Sequence, residues 1–320
     1  MSQRLSVQIS SVERAAEGIW LYRLTSSDEG ELPAASPGAH VDVFLSNGQT
    51  RQYSLCQPPG ANWYNIAVKL ETEGRGGSRH IVETWHAGQS VLISTPRNNF
   101  PLAEGAASSI LIAGGIGITP ILAMAQELHK SNQPYRVYVC ARNSAQAPFR
   151  DALAPMMATG NVVMHYDGGD IDRQLDLRSI LRDPQPGAHL YYCGPPGMMR
   201  AVAAASTHWP AGTVHREYFS VQPTPLPTDD DEVREAFSVR LVTSGVTVAV
   251  SPGQSIVEAL RTEGIEVPTS CESGLCGACK TRLLGGTADH RDFVLEDNER
   301  EDYVLICCAK ARSDVLVLDL

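Results

Sequence analysis

Three observations predict a multidomain chain: an antiparallel β-barrel, then a parallel α/β layer, then a small C-terminal β-grasp module. The N-terminal third consists of short alternating segments broken by Gly, Pro and Asn. The middle alternates continuous apolar runs with helical stretches. A proline- and acid-rich segment then sets off a C-terminal part into which the cysteines crowd. The predicted boundaries are 1–104 for the barrel, 105–220 for the α/β layer, 221–235 for a linker and 236–320 for the last module.

Ala39-His40-Val41-Asp42-Val43-Phe44-Leu45 and Tyr64-Asn65-Ile66-Ala67-Val68-Lys69 have the period of half-buried strands, and several such strands between turn residues read as a small barrel. From about Ser108 the pattern changes. Ile110-Leu111-Ile112-Ala113 is apolar without interruption, as in a strand covered on both faces, and it leads into a helix predicted from Pro120 to about His129. Similar runs at Arg136–Ala141, Val162–Tyr166 and His189–Cys193, with helices between them, imply a parallel sheet with helices on both sides. Three prolines and four acids within Val221–Glu232 resist helix and sheet and predict an extended, solvated linker. Beyond it, Phe237–Leu241 and Val246–Val250 read as a hairpin, Ser255–Glu263 as a helix and Val315–Leu318 as a last strand. Ser255 with Glu258 three residues on forms a capping box at that helix start.

Composition narrows the function. The 320 residues are 43% hydrophobic and 19% charged, with a formal charge of −10, so the basic footprint of a nucleic-acid binder is missing. There is no apolar leader at Met1-Ser2-Gln3-Arg4 and no run of about 18 apolar residues, which gives the expectation of a cytoplasmic protein without a membrane partner. In that compartment eight cysteines favour thiolate chemistry over disulfides, and five of them lie in the last 50 residues.

Cys271-Glu272-Ser273-Gly274-Leu275-Cys276-Gly277-Ala278-Cys279, with Cys307 and Cys308 downstream, has the four-thiolate spacing of a plant-type [2Fe–2S] site. Three sulfurs from one loop converge only if the backbone curls tightly, and Gly274 and Gly277 permit that curl. A structural zinc site would instead draw on two separated pairs of closely spaced cysteines. Cys307 and Cys308 are adjacent, and only one can serve as the fourth ligand.

Such a cluster moves single electrons while nicotinamide delivers a hydride, and flavin is the ordinary converter between the two. Five stretches fit that need. Arg51-Gln52-Tyr53-Ser54-Leu55 offers an aromatic face, a hydroxyl and a phosphate-pairing guanidinium. Gly74-Arg75-Gly76-Gly77-Ser78 opens a helix running to about Trp85, with free N–H groups suited to phosphate. Gly114-Gly115-Ile116-Gly117-Ile118-Thr119-Pro120 joins strand to helix, with Thr119 predicted as N-cap, Pro120 as first helical residue and the glycines open to a pyrophosphate. Cys193-Gly194-Pro195-Pro196-Gly197-Met198-Met199 is a second strand-to-helix turn. His215-Arg216-Glu217-Tyr218-Phe219 reads as the last strand before the linker.

On these stretches the whole chain resembles the phthalate dioxygenase reductase family of the ferredoxin reductase superfamily, which includes the vanillate demethylase reductases. The resemblance implies an N-terminal flavin-binding barrel, a nicotinamide-binding α/β domain and a C-terminal plant-type ferredoxin. It implies FMN held by Arg51, Tyr53, Ser54, Ala67, Val68, Lys69, Arg75, Gly76, Gly77 and Ser78. It also implies NADH held by Gly115, Gly117, Thr119, Arg142, Cys193, Gly194 and Phe219. Ser54, Cys193 and Phe219 would stand at the reacting centre, Glu217 is a further candidate there, and Cys56 and Cys140 are core residues. Cys193 is also readable as a buried core thiol. Counted back from the C-terminus, the family pattern makes Cys271, Cys276, Cys279 and Cys307 the iron ligands. Arg142 stands where the dinucleotide fingerprint places a ribose-binding acid, which leaves NADH against NADPH open in the residues themselves.

The implied acceptor is a separate Rieske-type oxygenase or demethylase acting on an aromatic or similar acid, toward which the linker would let the ferredoxin module pivot. The alternatives are a reductase for a cytochrome or free ferredoxin, and a redox sensor without turnover. The seven acids between Asp289 and Asp302 (Asp289, Asp292, Glu296, Asp297, Glu299, Glu301 and Asp302) are a candidate docking face, with a solvated loop as the plainer alternative.

Overall fold

A computed structural model describes residues 4–28, 30–72, 76–219, 236–295 and 298–320, so the linker 221–235 lies outside the described residues. The chain divides into two compact units, Ser2–Phe219 and Ser220–Leu320 with Met1.

The first six strands are β1 (Arg4–Ala16), β2 (Ile19–Ser26), β3 (His40–Phe44), β4 (Thr50–Ser54), β5 (Tyr64–Lys69) and β6 (Ser90–Ser94). They pair antiparallel in the order β4-β3-β6-β1-β2-β5. A bridge between Leu55 and Ile66, with Cys56 N–H donating to Asn65 O at 2.9 Å, joins the ends of the sheet into a barrel. Strand alternation sends Val41, Val43, Ile66, Val68 and Ile93 inward, where all are fully buried. Helix α1 (Gly77–Thr84) covers this core through Ile81, and the following Trp85 meets Tyr22 edge to face at 5.5 Å.

The second sheet comprises β7 (Ser108–Gly114), β8 (Tyr135–Ala141), β9 (Val162–Tyr166), β10 (Ala188–Cys193) and β11 (Val214–Glu217), all parallel in the order β11-β10-β7-β8-β9. Its helices are α2 (Ile118–Lys130), α3 (Arg150–Ala158), α4 (Leu177–Leu181) and α5 (Pro196–Ala205). Leu111 packs with α2 and α3 on one face, and its neighbour Ile112 packs with α4 and α5 on the other. Both residues of each alternating pair are therefore buried, which is why these strands read as unbroken apolar runs. Cys56 and Phe100 join the α2 face, so barrel and parallel sheet share one core.

The C-terminal module contains β12 (Phe237–Leu241), β13 (Thr247–Val250), α6 (Ile256–Thr262), β14 (Lys280–Gly285), β15 (Ala288–Asp289), β16 (Tyr303–Leu305), β17 (Lys310–Ala311) and β18 (Val315–Leu318). The order β13-β12-β18-β14-β16, with β12 and β18 parallel and α6 packed on the sheet, is the β-grasp expected. The capping box is present: Glu258 N–H donates to Ser255 Oγ at 3.1 Å, and Ser255 N–H donates to Glu258 Oε2 at 2.8 Å.

Candidate active site and cysteine centre

Strand order reverses between β7 and β10, and such a reversal opens a crevice at the carboxyl ends of the strands. Both glycine turns lie there and pack on one another. A Cβ added to Gly114 would lie 2.6 Å from Pro195 Cδ, and one on Gly194 would lie 3.1 Å from Gly114 Cα. Gly115, with φ of 54°, faces open space. Arg142, just past β8, has its side chain beside Gly169, and its carbonyl accepts from Gly168 N–H at 2.9 Å.

The helix start differs from expectation. Gly115–Gly117 forms one 3₁₀ turn that runs directly into α2 at Ile118, so the helix begins before Thr119 and its N-cap is Gly117. Thr119 is buried inside the first turn with its hydroxyl donating to Ile116 O at 3.1 Å. The reason is that the preceding residues already hold helical dihedrals, leaving no extended residue for a side chain to cap.

Opposite this crevice stands β4. Alternation puts Arg51 and Tyr53 on one face of the strand and Gln52 and Ser54 on the other, so a ring meeting both Tyr53 and Ser54 must lie across the strand end. Ser54 Oγ donates to Glu217 Oε2 at 3.2 Å, tying the barrel to the last strand of the parallel sheet. Across β10 and β11, Glu217 pairs with Cys193, whose thiol has no exposed surface and belongs to the α2-side core. Burial pushes that thiol well up, and the neighbouring Glu217 adds to the effect. Strand β11 ends at Glu217, so Phe219 lies beyond the ladder and is 39% exposed. The expected strand runs two residues too long because Tyr218 and Phe219 have no ladder partner on β10, which ends at Cys193.

Burial raises the Glu217 carboxyl from 4.5 to about 8, against a smaller lowering by the Ser54 hydrogen bond. A group raised on folding stabilises fully below its unfolded value, and that contribution is lost as pH climbs through the folded one. Wild-type stability should therefore fall between about pH 4.5 and about pH 8 through this residue. Glu217→Gln removes the slope, and its melting temperature should gain on wild type progressively across that window. Parallel melting curves would show that Glu217 ionises freely in the fold.

On its other face β4 carries Arg51 onto the start of α1. A Cβ on Gly77 would lie 2.3 Å from Arg51 Nε and 2.7 Å from its Cγ, so the arginine stem rests directly on the glycine. Gly76, the N-cap, is left-handed with φ of 82° and no side chain caps the helix. Guanidinium and uncapped N–H groups thus converge in one cradle. Ser78 accepts from Glu71 N–H at 3.0 Å, and Arg75 lies outside the described residues. On β5, Val68 points into the barrel core, Ala67 is buried, and Lys69 pairs with Glu71 at 2.8 Å on the surface.

The cysteine loop lies between α6 and β14. Glu272, Gly274 and Gly277 hold positive φ values of 50°, 72° and 71°, and the curl turns backbone N–H groups inward. Ser273 and Leu275 donate to Cys271 Sγ at 3.4 and 3.3 Å, Ala278 to Cys276 Sγ at 3.5 Å, and Gly274 to Cys307 Sγ at 3.3 Å. Side-chain hydrogen bonds link Cys307 to Cys271, Cys279 and Cys308, and Cys271 to Cys276. Those bonds draw the Cys307 thiol down, Cys271 first among the causes. A set of soft sulfur donors ringed by N–H groups suits an iron–sulfur cluster.

The described acids between Asp289 and Asp302 divide between inward and outward positions. Asp292 is buried and accepts from Val294 N and Leu295 N at 3.1 and 2.8 Å, bracing the segment against the cysteine loop, where Phe293 N–H donates to Gly274 O at 3.1 Å. Asp289 pairs with Arg291 at 2.7 Å and Arg312 at 3.5 Å, and Glu299 pairs with Lys280. Glu301 and Asp302 are exposed, while Glu296 and Asp297 lie outside the described residues. An acid run drawn from a turn-rich loop distributes its members between inside and outside, which composition does not reveal.

Comparison with known proteins agrees with this geometry. Residues 111–204 match the oxidoreductase NAD-binding domain family and 239–312 the 2Fe-2S iron-sulfur cluster binding domain family. Phthalate dioxygenase reductase of Burkholderia cepacia is 41% identical, with 99% of this chain and 97% of that protein covered. The chain belongs to the phthalate dioxygenase reductase family. The reductase subunit of tert-butanol monooxygenase / tert-amyl alcohol desaturase from Aquincola tertiaricarbonis is 44% identical to it, covering 99% of this chain and 96% of that one. A solved structure of phthalate dioxygenase reductase, presented as modular electron transfer from pyridine nucleotides to [2Fe–2S], superposes with a TM-score of 0.76 over 99% of this chain and 98% of that one, at 41% identity. The reductase is accordingly an oxidoreductase with NAD-binding and [2Fe–2S] domains, and among the described residues no helix is long and apolar enough to cross a membrane.

Proposed function

We propose that this cytoplasmic reductase draws on NADH and delivers single electrons to a separate Rieske-type oxygenase. Bound FMN would supply the conversion of a two-electron donor into single electrons. The observation that carries the reading is the Ser54–Glu217 hydrogen bond: it joins the barrel strand expected at the flavin to the carboxyl edge of the sheet expected at the nicotinamide. Arg51 and the Gly76–Gly77 start of α1 would hold the flavin phosphate, and the Gly114–Gly117 and Gly194 turns the dinucleotide. Ser54 and Glu217 would govern a proton beside the reacting ring, with Phe219 shielding it from water. Cys193 acts through packing, its thiol being buried. Cys271, Cys276, Cys279 and Cys307 would hold the cluster.

The relatives differ in the substrates of their systems, a phthalate in one and a tertiary alcohol in the other. Substrate choice therefore belongs to the oxygenase, and the reductase must recognise that protein rather than the substrate.

The test is an absorbance spectrum of purified protein before and after anaerobic NADH. Flavin and iron–sulfur bands that bleach with NADH, with extracted flavin matching FMN, support the reading; protein colourless after anaerobic reconstitution overturns it. Assays with candidate oxygenases against a cytochrome then separate the acceptors. In the same material, Gly77→Ala should push the Arg51 stem off the helix start and raise the FMN dissociation constant about tenfold, the equivalent of one charge-assisted hydrogen bond. An unchanged constant would remove Arg51 from the phosphate cradle.

A further inference from the structure

Besides the groups already placed at the site, one buried polar side chain beside it has no partner. His40 on β3 is 2% exposed, and neither ring nitrogen makes a hydrogen bond among the described residues. Its backbone explains where the ring lies. His40 N–H donates to Arg97 O at 2.8 Å and His40 O accepts from Arg97 N at 3.0 Å, so its main chain is committed to the side away from β4. On the β4 side, Leu55 N–H donates to Ala39 O at 2.8 Å, one residue back. His40 and its register partner Ser54 are therefore a non-hydrogen-bonded antiparallel pair, the kind whose side chains stand closest, with Cβ atoms about 4.5–5.5 Å apart on one face.

The other groups on that face are engaged. Asp42 Oδ2 accepts from Arg97 at 2.6 Å, its Oδ1 from Gln52 at 3.4 Å, and its backbone N–H donates to Ser94 Oγ at 3.0 Å. Among the described residues the Ser54 hydroxyl bonds to Glu217, while a hydroxyl can donate once and accept twice. Beyond Glu217 lies the wholly buried Cys193. An orphan imidazole in such a place is destabilising, and Ser54 is the neighbour with capacity to relieve it.

We propose that His40 is a positioning residue for Ser54: a hydrogen bond between imidazole and serine hydroxyl, not made in this structure, extends the Ser54–Glu217 pair into one buried row whose direction sets whether the hydroxyl offers a proton or a lone pair to the flavin. The inference rests on the reading that Ser54 meets the flavin. The charge states favour it. Burial, aided by Arg97 and opposed by Asp42, lowers His40 to about 4, and Glu217 is raised to about 8, so near neutrality both hold one donor and one acceptor. A row of three such neutral groups can run from Glu217 to His40 or from His40 to Glu217. Removing the imidazole leaves Glu217 alone to orient the serine.

The experiment is a double-mutant cycle on the full-length protein, read by FMN affinity of the apoprotein and by anaerobic stopped-flow flavin reduction with NADH. His40→Leu should weaken FMN about fivefold and slow reduction about tenfold, with half-saturation by NADH unchanged. In a Ser54→Ala background the same substitution should change either quantity less than about twofold, because the group it acts through is gone. His40→Asn, which restores a donor and an acceptor, should recover most of the loss. Should His40→Leu fail to fold, His40→Phe, a ring with neither donor nor acceptor, passes through the same cycle and is read by the same criteria. Equal effects of the His40 substitution in both backgrounds, or no effect in the wild-type background, overturn the proposal while leaving the flavin reading standing. Wild-type protein that takes up no flavin overturns that reading, and this one with it.

Discussion

Cys307→Ser is expected to cost the reductase its cluster, while Cys308→Ser should leave one in place. The two thiols are neighbours in sequence, and their surroundings differ. Cys307 touches the sulfurs of Cys271 and Cys279 and accepts the Gly274 N–H at 3.3 Å, which places it inside the curl of the cysteine loop. Cys308 donates to Leu305 O at 3.6 Å, and its sulfur lies 2.7 Å from where a Cβ on Gly274 would stand. A serine oxygen at the Cys307 position is a harder donor on a shorter side chain, and a binuclear iron cluster held by three thiolates and an alcohol is far less stable. Iron and sulfide content of anaerobically purified Cys307→Ser should fall at least about tenfold with the visible bands. Cys308→Ser should keep both, with a modest change in band positions from the altered contact with Gly274. The reverse pattern would reassign the fourth ligand to Cys308.

Legibility in the sequence followed the strength of the local physics. The parallel strands were readable because burial on both faces leaves Leu111 and Ile112 no polar alternative. The start of α6 was readable because Ser255 and Glu258 satisfy each other without outside help. The start of α2 was not, because Thr119-Pro120 has the composition of a cap while the 3₁₀ turn at Gly115–Gly117, set by packing against β10, begins the helix earlier. Residues that work by long-range juxtaposition left weaker marks. Glu217 is one acid in a strand until the fold brings Ser54 to it across 163 positions of sequence. His40 reads as an ordinary strand residue, since alternation alone assigns it to an outer face and only the packed sheet shows that this face is closed. Asp292 illustrates the same limit from the other side: within a run of acids nothing local distinguishes the one that turns inward to hold Val294 and Leu295.

Gly117→Ala should damage both stability and nicotinamide binding, more than a single methyl ordinarily does. Gly117 has φ of −63°, an angle that any residue adopts, so the requirement for glycine is not conformational. It is proximity: a Cβ there would lie 2.3 Å from Cys193 O, 2.5 Å from Cys193 C and 2.7 Å from Gly194 N. These are backbone atoms held in register between Ala113 and Glu217, and no side-chain rotation can make room. The turn and the end of β10 must separate, at a cost of about 1–3 kcal/mol. That separation opens the crevice in which the two glycine turns converge, so the half-saturating NADH concentration should rise about tenfold, one misplaced set of contacts to the dinucleotide. Gly197→Ala is the control, because its Cβ would point into open space on α5 and should leave both quantities near wild type. Thermal melts and anaerobic NADH titrations of the pair separate the two effects. If Gly117→Ala melts with Gly197→Ala yet binds NADH poorly, the turn is needed as a ligand and not as a packing element. If both properties match the control, the close approach of β10 to the α2 start does not govern this site.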